Sequence, residues 1–175
     1  MNQHIFTFKP IFKPTIWGGC GIARYKQEDI DQSNIGESWE ISAVPGHESV
    51  GAEGPDEGAA LSEICMKYGE KLLGRNCIDK YGNTFPLLVK IIDAKDNLSV
   101  QVHPDDDSTI LCGFSKHLDA DRLGEAVAKG EFKGYLANYK SSPGDCFFIP
   151  AGRVHSIGSG NLLVEIQQSS DITYR

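Results

Sequence analysis

The chain has 175 residues, of which 40% are apolar and 23% charged, enough for one domain around one hydrophobic core. Its 17 Lys and Arg against 24 Asp and Glu leave a formal net charge of −7, which excludes a nucleic-acid or anionic-membrane surface as partner. A small phosphorylated ligand stays open, because one local cation cluster is enough to hold it. No stretch is long and apolar enough to span a bilayer, and Met1 to Pro10 carries no basic region followed by an apolar core. The five cysteines are odd in number and lack a CxxC pair, the pattern of reduced thiols in a cytoplasmic protein. A single domain over 1–175 is expected.

Along the chain, Gly46 to Gly58 is rich in Gly, Pro and acid and reads as loop. Between Leu61 and Leu72 the apolar positions Leu61, Ile64, Cys65, Tyr68 and Leu72 form one helical stripe, with Gly74 placed to end it. FPLLVKII, Phe85 to Ile92, is short and β-rich, a buried strand interrupted by Lys90. In Leu98 to His103 the residues alternate: Leu98, Val100 and Val102 on one face, Ser99, Gln101 and His103 on the other. Asp119 to Lys129 reads as a second helix, capped by Asp119, with Leu123, Ala126 and Val127 as its apolar face. Cys146 to Ile149, Val154 to Ile157 and Leu162 to Gln168 read as three strands between Gly- and Pro-containing turns. The expected architecture is an all-β antiparallel jelly-roll barrel with two short helical insertions.

The polar face of Ser99, Gln101 and His103 fits either a solvated surface or a polar cavity. Gly144 to His155 favours the cavity. Its spacing, G-x5-P-x-G-x2-H, describes a turn glycine, a strand, a Pro–Gly corner and a return strand presenting one histidine. It resembles the second signature motif of the cupin superfamily, and Gln101-Val102-His103 then stands where that family's first motif supplies its ligands. Gln101, His103 and His155 form a mixed O/N donor set for one Zn²⁺ per chain, with Fe²⁺, Mn²⁺, Co²⁺ or Ni²⁺ as substitutes.

Longer segments extend the likeness. Trp17-Gly18-Gly19, GESWE at 36–40, FPLLVK at 85–90, LSVQVHPDD at 98–106, PAGRVH at 150–155, EIQQ at 165–168 and SDITYR at 170–175 resemble, in order, segments of the type I mannose-6-phosphate isomerases. The resemblance implies metal ligation by Gln101, His103 and His155. It implies an arginine at the reacting carbons, Arg175, with Glu165 and Lys90 as polar residues of the substrate cavity and Ser99 as a hydroxyl near the substrate. Lys90, Arg153 and Arg175 are the available cations for a phosphate. The implied reaction interconverts mannose 6-phosphate and fructose 6-phosphate through a cis-enediol.

Two departures from the family pattern matter: the sequence stops at Arg175, where members of the family are expected to continue, and an internal segment is missing. The family's Gly-Lys-x-Glu segment, whose Glu is a fourth metal ligand, has no counterpart between about 107 and 113, where Asp105 to Cys112 runs directly into GFSK. This leaves an alternative, a non-catalytic sugar-phosphate-binding or regulatory cupin. Trp17 and Trp39 read as packing residues, His4, His47 and His117 as surface residues, and Glu37 and Glu40 carry no role that their neighbours in sequence specify.

Overall fold

The computed structural model describes residues 5–30, 33–98 and 108–170. In chain order the elements are β1 (Phe8–Lys9), β2 (Ile11–Gly19), α1 (Gly21–Lys26), β3 (Ile35–Ile41), β4 (Ala43–Val44), β5 (His47–Glu48), β6 (Val50–Gly51), α2 (Leu61–Tyr68), α3 (Glu70–Leu73), α4 (Arg75–Tyr81), β7 (Leu87–Ala94), β8 (Thr109–Phe114), α5 (Ala120–Ala128), β9 (Leu136–Lys140), β10 (His155–Ile157) and β11 (Asn161–Gln168). Two 3₁₀ turns lie at Gly54–Asp56 and Phe132–Tyr135.

Two antiparallel sheets carry the architecture. One has four strands in the order β11-β7-β3-β2; the other has three, β10-β8-β9. They face each other across one apolar layer: Ile92 and Ala94 from β7 meet Ile110 and Cys112 from β8 and Ile157 from β10. Leu163 and Trp17 fill its margin. Removing these side chains from water is the main force holding the sheets together, at about 25 cal/mol per Å² of apolar surface. A tight connection joins β10 to β11. Gly158 N–H donates to the Thr109 carbonyl at 2.8 Å and Gly160 N–H to the Ala94 carbonyl at 2.7 Å. Both sheets run away from this hinge.

The outer face of the larger sheet is covered by α1, whose Ile22 is buried with Ile35 and Ile91. Glu40 helps fix that packing: it accepts from Lys26 on α1 at 2.9 Å and from Ser38 at 2.6 Å. Helix α2 buries Leu61, Ile64 and Cys65. Its Lys67 and Tyr68 both donate to buried Asp56, at 2.5 and 2.6 Å.

Several expectations are corrected. Among the described residues the sheets form an open sandwich, without the continuous ring of strand pairing that a closed barrel needs. The helix expected over Leu61 to Leu72 is two helices. Gly69, at φ 50°, breaks the stripe after Tyr68, and Gly74, at φ 79°, ends α3 and opens α4. Cys146 to Ile149 is not a strand. Adjacent Phe147 and Phe148 are both exposed, the latter by 85%, and no described strand edge offers them a ladder. The β7 strand starts two residues later than the apolar run, because Pro86 cannot donate to a ladder, and runs two residues further, where Asp93 and Ala94 pair with Leu162 and Asn161. The α5 helix is as read, with Asp119 accepting from the Arg122 N–H at 2.8 Å, except that Val127 points outward, 61% exposed. Of the strand read over Leu98 to His103, Ser99 to His103 lies outside the described residues.

Candidate active site

The antiparallel register lines up the inward residues of the larger sheet in rows. Lys13, Glu37, Ile92 and Leu163 form one row across β2, β3, β7 and β11; Ile11, Trp39, Lys90 and Glu165 form the next. Ile92 and Leu163 belong to the apolar layer between the sheets. One step further from the hinge, the same face turns charged. In a strand the residue two places on shares the face, so a sequence that reads Ile92 then Lys90, and Leu163 then Glu165, moves from apolar core to a charged stretch along one surface.

Lys90 is the centre of that polar stretch. Its Nζ lies 2.8 Å from Glu165 Oε2 and 3.7 Å from Glu37 Oε1, with side-chain exposures of 12% for Lys90, 25% for Glu165 and 18% for Glu37. The second oxygen of Glu37 accepts the Trp39 indole N–H at 2.7 Å. Two carboxylates thus share one ammonium in a largely desolvated place, and the cluster carries a net negative charge. A lysine placed here to reach solvent by its long stem would leave its head in water; this one is held between strands instead.

His155 opens β10 on the facing sheet. It shares the inward parity of Ile157 and pairs across the ladder with Cys112, so it occupies the polar margin of the same apolar layer. Its Nδ1 lies 2.9 Å from the Arg153 carbonyl. A carbonyl only accepts, so Nδ1 carries a proton, and in the neutral ring the lone pair is on Nε2. Fixing the tautomer through the other ring nitrogen is how metal-ligating histidines are commonly prepared. Arg153 is exposed beside Gly113 on β8. Ser99, Gln101, His103 and Arg175 lie outside the described residues, and among the described residues no group of three His, Cys, Asp or Glu converges as a metal site.

The structure thus brings Lys90 and Glu165 together and sets His155 on the opposite sheet. It also adds Glu37, for which the sequence specified no role, and Trp39, which packs in the core with Val44 and Leu88 as expected and also holds Glu37 through its indole N–H. Their signal was present in GESWE: Glu37 and Trp39 alternate with Ser38, so on a strand they share a face.

Residues 5–142 match the catalytic domain of the type I phosphomannose isomerases. The chain is 36% identical to the mannose-6-phosphate isomerase ManA of Bacillus subtilis, an alignment covering 100% of this chain and 61% of that protein. It is 34% identical to the mannose-6-phosphate isomerase of Streptococcus mutans, covering 91% of this chain and 56% of that one. The alignment with ManA runs over 199 positions, longer than the 175-residue chain, so ManA has residues within it that have no counterpart here. The crystal structure of the mannose 6-phosphate isomerase from Bacillus subtilis superposes with a TM-score of 0.83 at 31% identity, over 97% of this chain and 60% of that one. A mannose 6-phosphate isomerase structure bound with zinc and yttrium, 15% identical, shares the fold with a TM-score of 0.71. The chain spans about 60% of the length of the curated relatives it matches. With most of its length matching that catalytic domain, and with the fold of its relatives, the chain belongs to the type I phosphomannose isomerase family.

Proposed function

We propose that this chain is a metal-dependent aldose–ketose isomerase that interconverts mannose 6-phosphate and fructose 6-phosphate. The observation that carries this reading is the Glu37–Lys90–Glu165 cluster, on the sheet that faces the one carrying His155, whose Nδ1 is held by the Arg153 carbonyl. The reaction moves a hydrogen from C2 to C1 and needs a group that takes and returns a proton beside a stabilised enediol. Glu165 is the proposed proton carrier. It accepts the C2 proton as O1 is protonated to give the cis-enediol, then returns a proton to C1 as the O2 proton leaves. Lys90 aims its carboxylate and offsets its charge. Glu37, held by Trp39, keeps Lys90 from following Glu165 toward the substrate. Ser99 and Arg175 are proposed to complete the site, a hydroxyl near the sugar and a forked cation for paired oxygens.

His155, with its tautomer fixed, fits a metal ligand, and Gln101 and His103 are proposed to supply the rest of the set. A divalent ion there, zinc by preference, would act as a Lewis acid toward the sugar's oxygens. A zinc-bound protein of the same fold supports the choice of metal. The two sheets are proposed to be the halves of a jelly roll within one domain, 1–175. No described helix is long and apolar enough to cross a membrane, consistent with the proposed cytoplasmic enzyme acting on a small sugar phosphate.

A coupled assay of fructose 6-phosphate formation from mannose 6-phosphate, with bound metal measured in the same samples, tests the reading. Turnover that disappears on chelation and returns with zinc is expected. Turnover indistinguishable from the chelated control, with sugar phosphate still bound, would replace the enzyme by a binding protein.

A further inference from the structure

The charged rows hold one cation that the cluster above does not use. Lys13, on β2, is the cross-strand neighbour of Glu37 and shares its face. Its ammonium lies 4.5 Å from the centroid of the Trp39 ring and 3.0 Å from Nδ1 of His47, which the β4–β5 hairpin carries to the same place. His47 in turn meets Trp39 edge to face, with centroids 5.7 Å apart. An ammonium can only donate, so Nδ1 accepts and the His47 N–H sits on Nε2. Ammonium, indole and imidazole therefore form one fixed unit, in which Lys13 has a ring nitrogen and a π face as partners and, among the described residues, no carboxylate.

That lack of a counter-charge distinguishes Lys13 from Lys90. Lys90 lies between two carboxylates, and a dianion brought to it would meet a site already net negative. Glu37 does not neutralise Lys13 either: one of its oxygens faces Lys90 and the other holds the Trp39 N–H. Placement fits a ligand with two ends. At about 4.8 Å per strand and about 3.3 Å per residue, the backbones of Lys13 and Lys90, two strands and one row apart, stand about 12 Å from each other. Glu165 lies one strand further, on β11, so a hexose phosphate with C1 and C2 at Glu165 reaches Lys13 only when it lies across β7 and β3, with the long Lys13 side chain covering the rest of the span.

We propose that Lys13 and His47 form the subsite that takes the phosphate dianion of the substrate, with Trp39 as its floor. The charge comes from Lys13 and a second N–H from the exposed imidazole. This rests on the sugar-phosphate reading of the site, but its test does not need turnover.

The test uses the full chain and inorganic phosphate as probe. Binding of phosphate, of mannose 6-phosphate and of mannose is measured by calorimetry, and the ring ¹⁵N resonances of His47 are followed during the phosphate titration. Lys13→Gln is expected to weaken phosphate and mannose 6-phosphate at least about tenfold, the loss of one charge-assisted contact, while leaving mannose unchanged. In turnover, KM should rise far more than kcat falls. Lys13→Arg should restore most of the affinity, and His47→Gln should cost less than Lys13→Gln. Melting curves identify a misfolded variant, in which case the His47→Gln and Lys13→Arg affinities and the wild-type His47 resonances decide. Unchanged phosphate affinity in a folded Lys13→Gln, or His47 resonances that stay still at saturating phosphate, would overturn the subsite even if the protein isomerises. Phosphate bound through Lys13 without any turnover would uphold the subsite and sink the isomerase.

Discussion

Lys90 Nζ sits 2.8 Å from Glu165 Oε2 on the neighbouring strand, and the pair is mostly shielded from water. Its second carboxylate, Glu37, lies 3.7 Å away on the other side. The three residues come from β11, β7 and β3, so the cluster depends on the register of three strands rather than on any one loop. A one-residue slip of β11 would turn Glu165 to the outer face. The site is therefore as rigid as the sheet that carries it, which suits the role proposed for Glu165, returning a proton to a carbon next to the one it came from.

Removing the shared cation should be felt in stability before it is felt in chemistry. Lys90→Met leaves two partly buried carboxylates facing each other. Breaking a fully buried pair costs about 3–5 kcal/mol; with a quarter of Glu165 exposed, about 2 kcal/mol is expected, read as a lower urea midpoint at unchanged slope.

Glu165→Gln separates the chemical role from the structural one. The amide keeps the shape and can still accept from Lys90, so the melting temperature should move by only a few degrees. Turnover of mannose 6-phosphate should fall by at least about 10²-fold, the usual worth of a positioned acid–base group. Activity retained in Glu165→Gln would move the proton-carrying role to another residue.

His155→Ala should lower bound zinc, because it removes the donor whose tautomer the Arg153 carbonyl fixes. Elemental analysis after dialysis against a zinc buffer reads the change. Three proposed protein ligands should also bind less tightly than four, and stabilisation by a ligand follows its affinity. Chelation is therefore expected to shift the wild-type melting curve only modestly. A large shift would show that a carboxylate has joined the set.

Much of this arrangement is written in local patterns. LLVKII and NLLVEIQQ place Lys90 and Glu165 on faces that alternation alone identifies, and Asp119 caps its helix as its position indicates. What alternation cannot give is which strands are neighbours. Glu37 meets Lys90 only because β3 lies against β7, and Lys13 meets Trp39 only because β2 lies against β3; both are pairings at long sequence separation. The Cys146 to Ile149 segment shows the converse. It has the composition of a strand, but composition provides no partner edge, and Phe147 instead rests edge-on to Tyr139 with centroids 6.2 Å apart. His47 read as a surface residue, and exposed it is; its contact with Lys13 is made by the hairpin, which a four-residue turn in sequence only hints at.

The WGG segment sets a steric prediction. Gly36 on β3 lies under β2, and a Cβ there would collide with the Thr15 hydroxyl and come within 2.6 Å of the Trp17 ring. Gly18 is equally confined, against backbone atoms of Gly36 and Asn34. Neither has a positive φ, so the constraint is close approach and not conformation. Gly36→Ala should cost about 1–3 kcal/mol, the range for overpacking, and Gly18→Ala more, because backbone cannot rotate away. Gly124, on α5 with open space around it, is the control: Gly124→Ala should be neutral or stabilising by up to about 1 kcal/mol.

Cys65 predicts a pH dependence of its own. It is fully buried in α2, and burial, followed by the nearby Cys77, pushes its thiol above the ordinary range. Cys20 and Cys146 are exposed, so a thiol reagent at neutral pH should modify these two first and leave Cys65 until the protein opens. The thermodynamic sign follows from the same shift. In the unfolded chain the thiol ionises near its usual value, about 8.5; in the folded protein it stays protonated to higher pH. Above that value the native state holds more protons than the unfolded one, so stability falls as pH rises, by at most about 1.4 kcal/mol per pH unit from this group. Below it the contribution is fully present. Other groups titrate in the same range, so the quantity to measure is the difference between wild type and Cys65→Ala in urea at pH 7.5 and pH 9.5. The alanine variant should be less stable than wild type at the lower pH, having lost a packed sulfur, and the gap should narrow at the higher one. A gap that stays constant would mean that the Cys65 thiol ionises as readily folded as unfolded.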